Sequence, residues 1–205
     1  MTPLYPGLAG IVLAAGGSSR LGQAKQLVVY QGETLVKRAV TAALSLCGAG
    51  VTVVTGCSAE AVTAVLQQSP VNIVYNPDWK DGIASSLRAA ISEVNSEVRS
   101  NDLEGVLICL CDQPLITAED LARLSNVWHT SPHEPAAASY ANILGVPAIF
   151  PPAYFSALME LDGDAGARSV LVKAPDVSVV DMPVAGFDID TETDLEELFQ
   201  SKPGS

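Results

Sequence analysis

The sequence predicts a three-layer α/β protein in which helices cover both faces of a mostly parallel sheet. Short β-branched apolar runs alternate with longer stretches of helical period, the pattern of strands joined by crossover helices. Those runs are almost continuously apolar, as strands covered on both faces must be. The chain has 205 residues, 48% of them hydrophobic and 17% charged, which suits one large domain that folds without disulfide or metal staples.

The elements follow in order. LAGIVLA (8–14) reads as the first strand and runs into a glycine-rich loop. A helix is expected over 33–46, where Leu35, Val36, Ala39, Val40, Ala43 and Leu44 form one apolar stripe. VTVVT (51–55), a helix over 59–67, VNIVY (71–75), a helix over 85–94 and GVLICL (105–110) complete a βαβαβαβ half. Thr117 with Asp120, and Thr191 with Asp194, have the spacing of capped helix starts. AAASY (136–140), VPAIF (146–150) and VSVVD (177–181) read as later strands. Prolines at 132–135 and 151–152 mark turns, and 202–205 reads as a frayed tail.

Charge narrows the partners. A net charge of −12 and a pI near 4.4 argue against a nucleic-acid or anionic-membrane surface, so a polyanionic small molecule would need locally gathered cations and backbone N–H groups. Cys47, Cys57, Cys109 and Cys111 follow no zinc or secreted-scaffold spacing, and His129 and His133 complete no metal site with them. They read as reduced, partly buried thiols. No apolar run reaches the ~20 residues of a membrane helix. The expected location is the cytoplasm.

In open α/β sheets, ligands bind beyond the carboxyl ends of the strands. The first strand ends in Leu13-Ala14-Ala15-Gly16-Gly17-Ser18-Ser19-Arg20-Leu21-Gly22-Gln23-Ala24-Lys25. Small residues let backbone N–H groups approach phosphate oxygens, and Arg20 and Lys25 offset the charge of a triphosphate. The loop is neither a Walker A loop nor the dinucleotide GxGxxG, whose absence argues against a redox enzyme. After GVLICL comes Cys111-Asp112-Gln113-Pro114-Leu115, and a carboxylate there is placed either to hold Mg²⁺ against a triphosphate or to cap a turn.

The spacing LAAGxSxRxGxxK, followed by DQPL, resembles the MobA-like nucleotidyltransferases. The Lys25-Gln26-Leu27 that ends the loop is similar to the molybdenum cofactor cytidylyltransferase (MocA) branch, where the guanylyltransferase branch carries Asp-Lys. Asn76-Pro77-Asp78-Trp79-Lys80-Asp81-Gly82 to Leu87 resembles the family's NxxWxxGMxxSL segment, with Gly82, Ser85 and Ser86 on the nucleotide and Trp79 as packing. Phe187-Asp188-Ile189-Asp190-Thr191 resembles its DIDTxxDL signature, which makes Asp190 the second metal ligand beside Asp112, with Asp188 in reserve. Tyr140 to Phe150, containing Gly145 and Pro147, looks like the GHPVLF strand with Val146 in place of His. Leu161 to Arg168 resembles GDxGAR, with Gly163 and Asp164 in the turn and Arg168 either on an acceptor phosphate or paired with Asp162 or Asp164.

The resemblance implies a Rossmann-like nucleotidyltransferase fold of the nucleotide-diphospho-sugar transferase kind. Residues 1–205 would form one domain, with a nucleotide-binding part at about 7–116 and an acceptor-binding part at about 117–200. The implied reaction is CMP transfer from CTP, with Mg²⁺ or Mn²⁺, to a molybdopterin-type acceptor. Arg20, Lys25 and Asp112 are its catalytic residues, and a molybdenum hydroxylase is the recipient of the product. The alternatives are guanylyl or cytidylyl transfer to another phosphorylated acceptor, and a non-catalytic molybdenum cofactor escort.

Overall fold

The computed structural model describes residues 4–97 and 102–200. The tail at 202–205 lies outside them. In chain order the elements are β1 (Leu8–Ala14), β2 (Val29–Tyr30), β3 (Glu33–Thr34), α1 (Leu35–Leu44), β4 (Val51–Thr55), α2 (Ala59–Leu66), β5 (Asn72–Tyr75), α3 (Ile83–Glu97), β6 (Gly105–Leu110), α4 (Ala118–Trp128), β7 (Ala136–Tyr140), β8 (Ile143–Phe150), α5 (Phe155–Met159), α6 (Arg168–Leu171), β9 (Ser178–Asp181) and α7 (Glu192–Gln200). Each apolar run of the sequence lies in a strand.

The main sheet has seven strands in the order β5-β4-β1-β6-β8-β7-β9, and only β8 runs antiparallel to its neighbours. The chain winds outward from β1 through β4 to β5 and then returns to pair β6 on the other side of β1. That reversal opens a crevice between the carboxyl ends of β1 and β6. A separate two-stranded hairpin, β2-β3, occupies 29–34, so the helix expected from residue 33 begins at Leu35. Two-residue strands carry no periodic signal, which is why the sequence merges this hairpin with the helix.

Strand alternation sends Leu8, Val12 and Ala14 of β1 to one face and Ala9, Ile11 and Leu13 to the other. The first set packs with α1, α2 and α4, the second with α3, α5 and α6. A third, smaller cluster joins Leu21, Val28, Tyr30 and Leu35 to Ile189 and Leu198, fastening the C-terminal segment across the end of the crevice. The Thr117 hydroxyl accepts from the Asp120 N–H while the Asp120 carboxylate accepts from the Thr117 N–H, closing the expected cap on α4. Cys47, Cys109 and Cys111 are buried in the first core, whereas Cys57, expected to be partly buried, is exposed beside the crevice because it follows β4 directly.

Trp128 is fully buried, and a Cβ on Gly105 would sit 2.8 Å from its ring, so β6 and α4 meet there with no spare room. Trp128→Ala is expected to cost about 3–5 kcal/mol of unfolding free energy and Gly105→Ala about 1–3 kcal/mol, as a cavity and as overpacking. Urea titration of both variants measures this; a loss under about 1 kcal/mol for Trp128→Ala would mean that the contact does not anchor the helix.

Candidate active site

The loop after β1 is shaped from behind. The buried Gln26 amide donates to the carbonyls of Ala14 and Gly16, at 3.0 and 2.7 Å, and the Cys57 N–H donates to the Ala15 carbonyl at 3.1 Å. These bonds fix the carbonyls of Ala14, Ala15 and Gly16 against the body of the protein, and residues 13–17 line the crevice. Ser18 adopts φ 49° and its hydroxyl accepts from the Lys25 N–H at 3.1 Å, which folds the loop back so that Lys25 enters the site. A Cβ on Gly17 would lie 3.0 Å from the Trp79 ring, so Trp79 packs under the loop as well as lining the crevice.

Crevice and loop form a cleft of about 420 Å³ lined by residues 13–17, Lys25, Gln26, Trp79, Lys80, Gly82, Ile83, Ser86, 110–112 and Asp164. Ser86 reaches it, but Ser85 does not line it: its hydroxyl donates toward the carbonyls of Asp78 and Gly82 and accepts from the buried Asn76 amide. Ser85 therefore braces the 76–82 segment from inside. Ser19 and Arg20 lie on the exposed rim of the loop.

Lys25 stands at the centre. Its ammonium donates to Asp112 Oδ2 in a short contact and to Asp190 Oδ1 at 3.0 Å, while Arg20 Nη2 holds Asp190 Oδ2 at 2.8 Å. Burial alone would lower the Lys25 pKa, but Asp112 and Asp190 together hold it well above the usual lysine value. The Asp112 oxygen facing away from Lys25, Oδ1, is buried without a partner. Residue 190 reaches this position because the Ile189 N–H donates to the Asp112 carbonyl at 3.0 Å. Its own N–H and that of Thr191 are fixed by the Asp194 carboxylate, whose pKa these bonds lower.

A metal would find oxygen donors of the right chemistry here. Among the described residues no group of three or more His, Cys, Asp or Glu side chains forms a ready cage, so phosphate oxygens and water must supply most ligands. Asp112, with an unsatisfied oxygen, and Asp190, sharing the same cation, fit one or two carboxylate positions of such an ion.

The residues expected on the acceptor side fall into two places. Gly82 has φ 92°, and a Cβ on it would lie 2.2 Å from the Gly163 carbonyl oxygen, which itself accepts from the Ala84 N–H at 3.1 Å. Arg88 also donates to the Leu161 carbonyl. The 161–166 turn thus docks on the start of α3, and Asp164 lines the cleft. Tyr140 lies farther along the edge, its hydroxyl 2.2 Å from a Cβ on Gly145 and its ring 3.1 Å from one on Gly186. Burial and then the Asp188 charge raise the Tyr140 pKa, and the Arg168 charge opposes them, so these three share one neighbourhood. Arg168 makes no ion pair within 4 Å among the described residues; Asp162 is paired with Arg88 at 3.9 Å instead. Pro147 is buried behind a cis peptide bond and does not line the cleft.

Three amides do structural work that the sequence did not flag. Gln26 holds the loop, Asn76 holds Ser85 and Ser86, and Gln113 donates to the carbonyls of Val146 and Ala185, tying β6 to the acceptor edge. In sequence each looks like a surface polar residue; their positions beside motif glycines and carboxylates are the sole signal.

A glycine-rich loop and a cation–carboxylate cluster at the switch point of a Rossmann-like sheet suit the nucleotidyltransferase class. The chain belongs to the MobA-like NTP transferase family, whose domain matches residues 10–177. It is 31% identical over 208 residues to nicotine blue oxidoreductase of Paenarthrobacter nicotinovorans, covering 95% of this chain and 96% of that one. It is 32% identical over 87 residues to the molybdenum cofactor cytidylyltransferase of Escherichia coli K12, covering 42% and 45% of the two chains. The crystal structure of Rv0371c from Mycobacterium tuberculosis H37Rv superposes with a TM-score of 0.79 at 29% identity over 98% of this chain and all of that one. A manganese complex of Rv0371c gives 0.76 at 28%, over 95% and 99%. Among the described residues no helix is long and apolar enough to cross a membrane.

Asp188 provides a pH test of the cluster. Burial, then the charges of Asp112 and Asp190, raise its pKa from 3.8 to about 6 against the pull of Lys25. Between those values the native state keeps a proton that the unfolded chain has released, so stability falls as pH rises through the window and the penalty is complete above it. Its side chain reaches solvent, which holds the effect to under about 1 kcal/mol. In metal-free protein, Asp188→Asn should flatten the melting temperature between about pH 4 and 6 and raise it at pH 7. Parallel melting curves for both proteins across that range would contradict the assignment.

Proposed function

We propose that the protein transfers CMP from metal-bound CTP to a molybdopterin-type phosphorylated acceptor and releases pyrophosphate. The observation that carries the reading is the Lys25 ammonium held between Asp112 and Asp190 directly beneath the glycine-rich loop. An acceptor phosphate oxygen bonds to the α-phosphorus while the bond from that phosphorus to the bridging β-oxygen breaks, and the electron pair leaves with pyrophosphate. Such a transfer needs positioning and charge stabilisation more than a protein nucleophile. The N–H groups of Ala15, Gly16 and Gly17 and the Lys25 and Arg20 side chains hold the phosphates, and Ser86 and Gly82 flank the nucleoside.

Asp112 and Asp190 would hold Mg²⁺ or Mn²⁺, which when bound neutralises charge on the triphosphate. The donor set and the manganese complex of the Rv0371c relative support this. Tyr140, Gly145 and Arg168, at the far end of the same edge, would receive the acceptor phosphate, with Gly163 and Asp164 between the two substrates. CTP is favoured by Lys25-Gln26-Leu27 and by the cytidylyltransferase relative. The product would pass to a molybdenum hydroxylase in the cytoplasm.

The relative named as an oxidoreductase, which matches nearly the whole chain, favours a second reading in which the same cleft binds a redox nucleotide. Incubation of pure protein with Mg²⁺, molybdopterin and each NTP, with the product identified by mass spectrometry, separates the two when run beside NADH and NADPH oxidation assays. CTP is expected to give the dinucleotide product at a higher kcat/KM than GTP. Arg20→Ala and Lys25→Ala should lower turnover by about tenfold or more, and Asp112→Asn should lose the metal-dependent activity. Reduced-nicotinamide oxidation without nucleotidyl transfer would replace the proposal with the second reading.

A further inference from the structure

We infer that Lys25 and a divalent cation are alternative occupants of the Asp112–Asp190 pair, exchanged when a triphosphate draws the Lys25 ammonium onto its own oxygens. This rests on the reading of those carboxylates as metal-facing.

The carboxylate oxygens are closed to an ion as they stand. Asp112 Oδ2 and Asp190 Oδ1 accept from Lys25, Asp190 Oδ2 accepts from Arg20, and Asp112 Oδ1 is buried away from solvent. A dication approaching this pair would meet an ammonium already at hydrogen-bond distance, and the like charges would repel. Arg20 is mostly exposed and can swing away, but the Lys25 side chain is only 15% exposed, so it is the closure that matters.

The geometry also makes the exchange easy. The Lys25 backbone is tied to Ser18 at 3.1 Å, so its root stays at the end of the phosphate-facing loop whatever the side chain does. The four-carbon stem then needs only to turn from the carboxylates toward the loop. Charge is compensated at each stage. Without substrate, Asp112, Asp188 and Asp190 face Lys25 and Arg20. A triphosphate arriving alone would set its charge against those carboxylates, and a metal arriving alone would have to evict Lys25 with no anion to receive it. Metal and triphosphate entering together give each anion a cation, so they are expected to bind as a unit.

Mn²⁺ titrated into nucleotide-free protein, with the free ion followed by electron paramagnetic resonance, tests the exchange. Lys25→Met should bind Mn²⁺ at least about tenfold more tightly than wild type, a difference of about 1.4 kcal/mol. Lys25→Arg should bind no more tightly than wild type, and Arg20→Met should gain less than Lys25→Met. The double variant Lys25→Met/Asp112→Asn should lose the gain. Wild type binding Mn²⁺ as tightly as Lys25→Met, or a gain that survives Asp112→Asn, would overturn the inference while leaving the metal site intact. No Mn²⁺ binding by any variant, even with CTP present, would overturn the metal-facing reading along with it. If Lys25→Met fails to fold, wild type supplies the answer through acetic anhydride labelling mapped by mass spectrometry. At Mn²⁺ concentrations where the resonance shows the ion bound to wild type, labelling of Lys25 relative to Lys80 should rise because the bound metal displaces the ammonium; bound Mn²⁺ with an unchanged ratio would overturn the exchange.

Discussion

The carboxyl edge of this sheet is organised around one ammonium shared by two carboxylates. Asp112 and Asp190 come from segments 78 positions apart, and both reach Lys25 within hydrogen-bond distance. Without a cation between them, two carboxylates so close would repel and push the C-terminal segment outward. With Lys25 in place, that segment is held by Ile189 against the Asp112 backbone and by the small Leu21–Tyr30–Ile189 cluster. In the fold that repulsion is offset, and the sensitive group is the lysine that offsets it.

The rest of the site is built from backbone held in place by buried amides. Gln26 and the Cys57 N–H turn the carbonyls of the loop after β1 inward, and Asn76 and Ser85 stiffen the opposite wall. The most consequential close approach is Gly82 against the Gly163 carbonyl, where a side chain has no room. It makes the 161–166 turn part of the wall of the cleft and brings Asp164 into it. Segments far apart in the sequence therefore share one wall.

The overall charge of −12 sets the scale of this arrangement. An acidic protein gains no long-range attraction for a polyanion, so attraction must come from groups within a Debye length, about 8–10 Å, of the binding site. Arg20 and Lys25 gather two cations over one short stretch of chain, both on Asp190. Lys80, stacked 5.4 Å from the Trp79 ring centre, adds a further cation to the cleft lining.

The sequence by itself determined the main strands, the first three helices and the starts of α4 and α7, though not the short α5 and α6, because strand and helix periodicity and helix caps are local properties of neighbouring residues. It marked Arg20, Lys25, Asp112 and Asp190 by their place after apolar runs or inside recognisable motifs. The short β2-β3 hairpin escaped it, since two-residue strands have no period, and so did the roles of Gln26, Asn76 and Gln113, since a buried amide and a solvated one are written alike. Ser85 turning inward while Ser86 faces the cleft was equally hidden, because neighbouring residues of one helix share a composition but not a direction. Which carboxylate meets which cation was decided only by tertiary structure. That outcome depends on β6 returning to pair β1 and on the Ile189 N–H holding residues 189–190 beside Asp112, and strand order is a property of the whole packed sheet that no local run of residues contains.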